Sequence, residues 1–329
     1  MCGPTKRRFL GLGAACLLVL GLCSGAQAAD VPESRMLVPV GHTIGIKLFA
    51  RGVVVSRLPE GETPAKVCGL RTGDVIEACG GETVTSTEQF QSLLQKNGEN
   101  GTELAVRRQN RNLCLPVAPK QNGQGAYCIG AWVRDSMAGI GTMTYYDPKS
   151  GEFGALGHGI TDVDTALLMP FSNGSILPAS VKAVKRGAPG EAGELRGDFD
   201  LTGNLGPLQA NTDRGIFGKL TESLSGPAVP VGRAKPGPAT LRANVTGDAV
   251  ETYDVEILRV TPGAANGRDL LLAVTDQDLL DRTGGIVQGM SGSPILQDGK
   301  LVGAVTHVLL NDATKGYGIL METMLEAAE

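Results

Sequence analysis

Most apolar positions of this chain fall into short runs that glycine and proline interrupt. The run Leu301–Val308 alternates apolar residues with small or polar ones, which predicts a half-buried strand. Apolar residues at helical spacing are mainly confined to Gln89–Lys96 and Met321–Ala328. With 47 glycines and 18 prolines among 329 residues, the pattern is typical of a mainly β protein built from many short strands.

A Pro-, Gly-, Asn- and Gln-rich stretch at 116–130 predicts a linker between two domains, 32–115 and 131–329. The second domain opens with apolar strands over Ala131–Tyr146. The proline-rich segment Pro227–Pro238 suits a connection between two barrels.

The first 28 residues predict the compartment. Lys6–Arg8 precedes the apolar run Phe9–Leu22, and Ala26–Ala28 supplies a small-x-small cleavage site. This pattern is that of a secretory signal peptide, and the run is too short for a comfortable membrane span. Residues 1–28 are therefore expected to direct export, either cleaved or retained as a weak membrane anchor.

Charge and cysteine content narrow the classes of function. A net charge of −4 with dispersed basic residues gives no support for nucleic-acid binding. No Cys-x-x-Cys or His/Cys cluster has the spacing of metal ligands, so we expect no metal and no cofactor. Four cysteines follow the signal segment, and the sequence leaves open whether they form disulfides or pack as buried thiols: Cys68, Cys79, Cys114 and Cys128.

The segment Gln288–Ile295 carries the clearest chemistry. It places Ser291 in a Gly-x-Ser-Gly-x-Pro turn, the arrangement that a β-barrel serine peptidase needs around its nucleophile. The flexible backbone of Gly289 directs its own N–H and that of Ser291 into one oxyanion-binding concavity, and Gly292 is expected to let the substrate backbone pass. Strands are predicted on both sides, at Gly285–Val287 and Leu301–Val308. The alternative is an ordinary Gly/Ser-rich hairpin turn.

A serine nucleophile needs a base to take its proton, and the chain has three histidines. His42 lies in a stretch better assigned to another domain. His158, bracketed by Gly157 and Gly159, is the favoured base. His307 would then line the substrate pocket or simply pack.

An orienting carboxylate completes such a site. Asp276 is favoured because it ends the apolar strand Leu272–Val274, which is a rigid position. The alternative is that Asp276 caps a helix beginning at Gln277. Other carboxylates compete for the role: Asp162, Asp164, Asp278 and Asp281.

Several motifs around these residues together resemble a known family. They are Gly157–Asp162 with Asp164–Thr165, Arg186–Leu195, Gly215–Gly218, Thr275–Asp276, Thr283–Ile295, Val302–Val308 and Asn311–Asp312. They resemble the SpoIVB family of sporulation serine peptidases. The resemblance implies a triad of His158, Asp276 and Ser291, in the chain order of the chymotrypsin type, and an upstream PDZ module. The expected fold is mainly β, a PDZ domain followed by a two-barrel chymotrypsin-like peptidase domain.

The first domain fits that implication. An apolar stretch ends in a Gly-Asp turn over Ala65–Ile76, and Thr87–Lys96 and Glu103–Arg108 predict a helix and a closing strand. PDZ domains bind an extended peptide as an added strand. By the resemblance, the peptide-binding loop would be formed by Thr43, Ile44, Gly45 and Ile46.

The resemblance also implies a physiological role. The chain would be an exported serine endopeptidase in the space between mother cell and forespore, where it cleaves a membrane-bound regulator of an intramembrane protease that processes a sigma factor. Two alternatives remain open, a non-enzymatic PDZ scaffold and a general envelope-quality peptidase of the HtrA kind. A peptidase of the HtrA kind would carry its PDZ domain after the protease domain, which is opposite to the order expected here.

Overall fold

The computed structural model describes residues 35–188, 190–264 and 267–329. The predicted signal segment over 1–28 lies outside these residues. In the described part of the chain, no helix is long and apolar enough to cross a membrane.

Strands dominate the described residues. In chain order they are β1 (Met36–Pro39), β2 (Thr43–Arg57), β3 (Val75–Cys79), β4 (Glu82–Thr83), β5 (Thr102–Arg108), β6 (Arg111–Val117), β7 (Lys120–Gln121), β8 (Tyr127–Cys128), β9 (Trp132–Tyr146), β10 (Glu152–Ala155), β11 (Phe171–Lys185), β12 (Glu194–Phe199), β13 (Gly206–Thr212), β14 (Gly215–Lys219), β15 (Val229–Pro230), β16 (Gly237–Thr246), β17 (Ala249–Val260), β18 (Leu270–Val274), β19 (Pro294–Gln297), β20 (Lys300–Leu309) and β21 (Asp312–Leu320). The helices are α1 (Pro64–Val67), α2 (Thr87–Asn97), α3 (Gln277–Thr283) and α4 (Met321–Glu326), with a 3₁₀ turn at Gly98–Asn100.

Six strands form a first barrel. Successive antiparallel pairs join β9, β10, β14, β13, β11 and β2, and pairing of β2 with β9 closes the ring. Alternate residues point inward, so that apolar side chains such as Ile44, Ile46, Phe153, Ile176 and Ile216 pack in one buried cluster. The barrel is therefore a closed core that holds its rim loops in place.

A second barrel closes through β16, β17, β18, β21, β20 and β19. Its core includes Leu241, Val255, Leu272 and Ile295, all essentially inaccessible to solvent. The predicted fold class, a mainly β protein with a PDZ domain and a two-barrel peptidase domain, is confirmed.

The PDZ sheet continues directly from the first barrel. The first half of β2 belongs to the barrel, and its second half pairs with β3, where Val53 lies opposite Ile76. Between the halves, Gly52 adopts φ +83°, and a Cβ there would lie 2.4 Å from the Ile76 carbonyl oxygen. The predicted PDZ range of 32–115 therefore starts too early, because residues 36–50 form strands of the peptidase unit.

The predicted peptide-binding loop is corrected for the same reason. Ile44, Gly45 and Ile46 pair with β9 on one side and with β11 on the other, while the Thr43 hydroxyl donates to the Asn244 carbonyl. A strand with both edges occupied has no free N–H or C=O groups for an added peptide. Gly45 serves packing, because a Cβ there would lie 2.5 Å from the Cβ of Phe199.

The predicted linker, 116–130, is folded against the PDZ module. The first two residues of this segment form the end of β6, and the segment also contains β7 and β8, which pair with each other. The side-chain amides of Gln91 and Gln95 on α2 both donate to the Tyr127 carbonyl. The chain then enters β9, which pairs with the PDZ half of β2 before it reaches the barrel.

Candidate active site

The turn that carries Ser291 follows α3 without an intervening strand. Gly285–Val287, predicted as a strand, forms no strand, and Gly285 and Ile286 lie in a bend. The segment approaches β21 so closely that a Cβ on Gly285 would lie 2.0 Å from the Ala313 carbonyl oxygen. The Ile286 N–H then donates to that same carbonyl. Further along, the Gln288 N–H donates to the Gly193 carbonyl and the Leu195 N–H donates to the Gln288 carbonyl, so backbone bonds to β21 and to the start of β12 position the approach to the serine turn.

The turn itself is held from the first barrel. The backbone N–H of Thr142, on β9, donates to the Ser291 carbonyl at 2.9 Å, and its hydroxyl donates to the Gly289 carbonyl at 2.8 Å. Gly289 has φ +96°, a conformation that favours glycine. Among the described residues, neither the Gly289 N–H nor the Ser291 N–H has a protein acceptor. Two donors on the same turn are thus available to an oxyanion.

Gly292 has a different role from the one expected. It adopts φ +97°, and a Cβ there would lie 2.0 Å from the Thr142 carbonyl oxygen and 2.5 Å from the Leu156 nitrogen. The glycine therefore lets the two barrels approach each other behind the nucleophile, instead of making room for substrate.

In this structure the Ser291 hydroxyl donates to the Thr306 carbonyl at 2.8 Å. It makes no hydrogen bond with His158. Catalytic hydrogen bonds are often absent or long in substrate-free enzymes and form in the substrate complex. A turn of the serine or histidine side chain is needed before proton transfer.

His158 leaves the first barrel just beyond the end of β10. Leu156 and Gly157 before it adopt φ of +69° and +70°, a backbone conformation that is unusual for leucine and is found at functional sites. Nδ1 of His158 lies 2.9 Å from the Gly159 carbonyl oxygen. A proton on Nδ1 donated to that oxygen leaves Nε2 unprotonated as the basic nitrogen. Burial lowers the pKa of His158, which keeps the imidazole neutral as a general base must be.

His307 on β20 is the near neighbour of this base. The two ring centroids lie 5.2 Å apart with an interplanar angle of 38°. Burial, followed by the positive charge of a protonated His158 and of Arg268, lowers the pKa of His307 to about 4. Its Nδ1 atom is buried and has no hydrogen-bond partner among the described residues. The Arg268 guanidinium lies 5.1 Å from the centroid of the Tyr317 ring, at the edge of the same site.

One cavity between the two barrels contains Ser291, His158 and His307. Most of its wall is apolar, and Arg268 and Asp213 are its charged residues. The apolar wall includes Met137, Ile140, Leu168, Ile286, Val308 and Leu310. The arrangement combines a serine, a neutral imidazole and two free N–H donors beside a surface that fits apolar side chains.

Asp276 does not line this cavity. Its carboxylate accepts the Leu279 N–H at 3.0 Å and thereby caps α3, which is the alternative that the sequence left open. Leu271 lies opposite Tyr317, which lies opposite His307. Asp276 lies five residues beyond Leu271, past the end of β18, which corresponds to about 16 Å of extended chain at about 3.3 Å per residue. Its assignment to the triad stays a prediction that this arrangement does not support.

The other candidate carboxylates also have partners elsewhere. Asp162 is buried and pairs with Arg134 at 2.6 Å, and Asp164 meets the same guanidinium at 3.0 Å. Asp278 pairs with Arg282, and Asp281 accepts from a side-chain amide. Asp213, which none of the sequence motifs indicated, lies in the short turn between β13 and β14 and lines the cavity. Turn residues between predicted strands at a barrel rim were the signal that could have pointed to it.

Among the described residues, no group of three or more His, Cys, Asp or Glu side chains is arranged to hold a metal ion. Among the described residues, Cys68, Cys79, Cys114 and Cys128 are free thiols.

Comparison with known proteins decides the family. The model of the SpoIVB peptidase S55 family matches residues 125–325, and a PDZ model matches residues 59–108. The chain belongs to the SpoIVB peptidase S55 family. This membership confirms both the resemblance predicted from the motifs and the predicted class of enzyme, a serine peptidase.

Curated relatives share a shorter region. Serine protease HTRA1 of Xenopus laevis and that of Xenopus tropicalis are each 35% identical to the chain over 125 residues, 36% of this chain. The chain covers only 22% of the length of these relatives. Among solved structures, the PDZ domain of an SdrC-like protein from Listeria monocytogenes matches with 19% identity and a TM-score of 0.23, covering 25% of this chain and 87% of that one.

Proposed function

We propose that this S55 peptidase is an exported serine endopeptidase that cleaves a membrane-associated regulatory protein in sporulation signalling. The observation that carries the peptidase chemistry is the single cavity that holds Ser291, the neutral imidazole of His158 and the free N–H groups of the Gly289–Ser291 turn.

The proposed reaction is acyl transfer. Nε2 of His158 takes the hydroxyl proton as Ser291 Oγ attacks the scissile carbonyl, and it later donates that proton to the leaving amine. The Gly289 and Ser291 N–H groups stabilise the oxyanion, and each such donor lowers the barrier by roughly 3–4 kcal/mol in comparable sites. Water then hydrolyses the acyl-enzyme with His158 again acting as the base.

Internal cleavage is supported by a groove that continues past the serine turn. The main cavity and a second, smaller one share Gly139, Ile140, Gln288 and Gly289. The second cavity extends along β12 between Glu194 and Gly197 and reaches Phe199. A polypeptide thus has room on both sides of the reacting carbonyl, as an endopeptidase requires.

A peptide library made from a proteome digest tests this activity. The purified chain should cut peptides at internal bonds, with apolar residues enriched on one side of the cut, and Ser291→Ala should cut none while remaining folded. If the chain removed only terminal residues from the peptides, that result would contradict endopeptidase action. Equal function of wild type and Ser291→Ala would favour the PDZ-scaffold alternative.

The proposed physiological role rests on family membership. The peptidase would act outside the cytoplasm, in the space between forespore and mother cell, on a membrane-bound regulator of an intramembrane protease. In a sporulating host, Ser291→Ala should block processing of the corresponding sigma-factor precursor although the variant is made and exported. Normal processing would exclude this role and leave general envelope proteolysis as the alternative.

A further inference from the structure

The wall of the catalytic cavity carries one guanidinium, that of Arg268, and no lysine among the described residues. The other charged residue of the wall is Asp213, whose carboxylate lies 4.0 Å from the guanidinium of its neighbour Arg214. In the part of the chain that the structure describes, Arg268 forms no salt bridge with any carboxylate. An unpaired positive charge beside an apolar cleft attracts ligands of the opposite charge.

The backbone on both sides of Arg268 is firmly held. The Gly267 carbonyl accepts the Thr306 hydroxyl at 2.9 Å, and the Thr306 carbonyl in turn accepts the Ser291 hydroxyl at 2.8 Å. On the other side, Asp269 is 1% exposed, and its carboxylate accepts two backbone N–H groups. The exposed side chain of Arg268 therefore starts from a rigid position that is fixed relative to the nucleophile.

Tyr317 positions the guanidinium at the edge of the cavity. The guanidinium lies 5.1 Å from the centroid of the Tyr317 ring, and Tyr317 lies opposite His307 where β21 pairs with β20. An arginine stacked on an aromatic ring keeps the N–H groups of its planar fork available, and two of them match the two oxygens of a carboxylate. Burial is the main cause of the low pKa of His307, and the charges of His158 and Arg268 add to it. The charge of Arg268 is thus felt inside the cavity.

We propose that Arg268 forms a carboxylate-binding subsite of the cavity, which takes an aspartate or glutamate side chain of the substrate at one fixed position near the scissile bond. The apolar wall takes the apolar side chains beside it. The preferred substrate is therefore an extended polypeptide in which an acidic residue lies close to apolar ones. This inference rests on the proposed peptidase function and specifies its substrate class.

The test compares peptides that differ only between glutamate and glutamine. Starting from a peptide that the wild type cleaves, each position near the cut carries Glu in one peptide and its uncharged isostere Gln in another, and kcat/KM is measured for both. At one position the wild type should prefer Glu about tenfold, the order expected for a hydrogen bond to a charged group. The preference should weaken as the NaCl concentration rises, because salt screens exposed charges.

Variants assign that preference to Arg268. Arg268→Gln should cleave the Glu and Gln peptides equally well, and Arg268→Glu should prefer Lys over Gln at the same position. Arg233→Gln makes the same change of charge outside the cavity, at a side chain that is 91% exposed, and should keep the wild-type preference. Each ratio is taken within one enzyme, so a general loss of activity cancels, and circular dichroism establishes that each variant is folded.

A wild type without a Glu preference at any position, or a folded Arg268→Gln variant that keeps the preference, would overturn this inference alone, because cleavage itself would still support the proposed function. A preference only for the free C-terminal acid of a peptide over its C-terminal amide would assign the subsite to a chain end and also overturn the inference. A folded wild type that cleaves no peptide would overturn the proposed function and this inference with it.

Discussion

Thr142 links the first barrel to the oxyanion turn, and replacing it by valine tests whether that link matters for catalysis. The side chain is 1% exposed, and its hydroxyl donates to the Gly289 carbonyl at 2.8 Å. Valine keeps the shape and removes only the hydrogen bond, so the half-buried Gly289 carbonyl loses its partner. That loss costs about 1–3 kcal/mol. If all of it falls on the transition state, kcat drops by about 5- to 150-fold, since each 1.36 kcal/mol is a factor of ten.

Thr144 provides a matched control on the same strand. It lies two residues further along β9, and it is 0% exposed. Its hydroxyl has no hydrogen-bond partner among the described residues, so Thr144→Val should leave the free energy of unfolding unchanged or raise it.

The assay combines the fluorophosphonate labelling rate of Ser291 with urea unfolding of both variants. Thr142→Val should label more slowly and unfold at lower urea concentration, whereas Thr144→Val should match the wild type in labelling. Equal labelling rates and equal unfolding midpoints in the two variants would refute the role assigned to the Thr142 hydroxyl.

Three further predictions follow from the same contacts. Gly292→Ala should lower the free energy of unfolding by more than the roughly 1–2 kcal/mol that a left-handed conformation alone costs, because the new Cβ would meet the Thr142 carbonyl. The control is Gly299→Ala, at φ +72° with nothing within 4 Å. In urea unfolding, this control should lose no more than that amount of free energy. The acidic limb of kcat/KM should lie below pH 6.5, because the base acts when neutral and burial lowers the pKa of His158 from 6.5; a limb above pH 7 in the pH–rate profile would contradict this. Asp276→Ala should lower the free energy of unfolding by about 1 kcal/mol through loss of the helix cap, and it should leave kcat within a few-fold of the wild-type value. A loss of activity with unchanged stability would show instead that the carboxylate acts in catalysis.

The sequence predicted the kinds of elements well, because these depend on local pattern. Thr87–Lys96 is helical as its apolar spacing indicated, and Leu301–Val308 lies within β20. The serine turn was recognised because a nucleophile with free N–H neighbours requires a distinctive local arrangement of glycines.

Pairing between distant segments could not be derived in the same way. The alternation of apolar and polar residues in a strand shows which of its faces is buried, but it does not show which other strands pair with its two edges. The stretch from Thr43 to Ile46 therefore suggested a ligand-binding loop, although it is enclosed between β9 and β11. Likewise, Asp276 has the expected chain order but caps α3, beyond the end of β18. His307, expected to line the pocket or pack, is the ring beside the base.

Active-site labelling of the purified chain is the most direct test of the central claim, that Ser291 is a nucleophile activated by His158. A fluorophosphonate followed by mass mapping should place the label on Ser291 in the wild type, and the label should disappear in folded His158→Ala. A folded wild type that takes no label, or a His158→Ala variant that labels at the wild-type rate, would contradict the account.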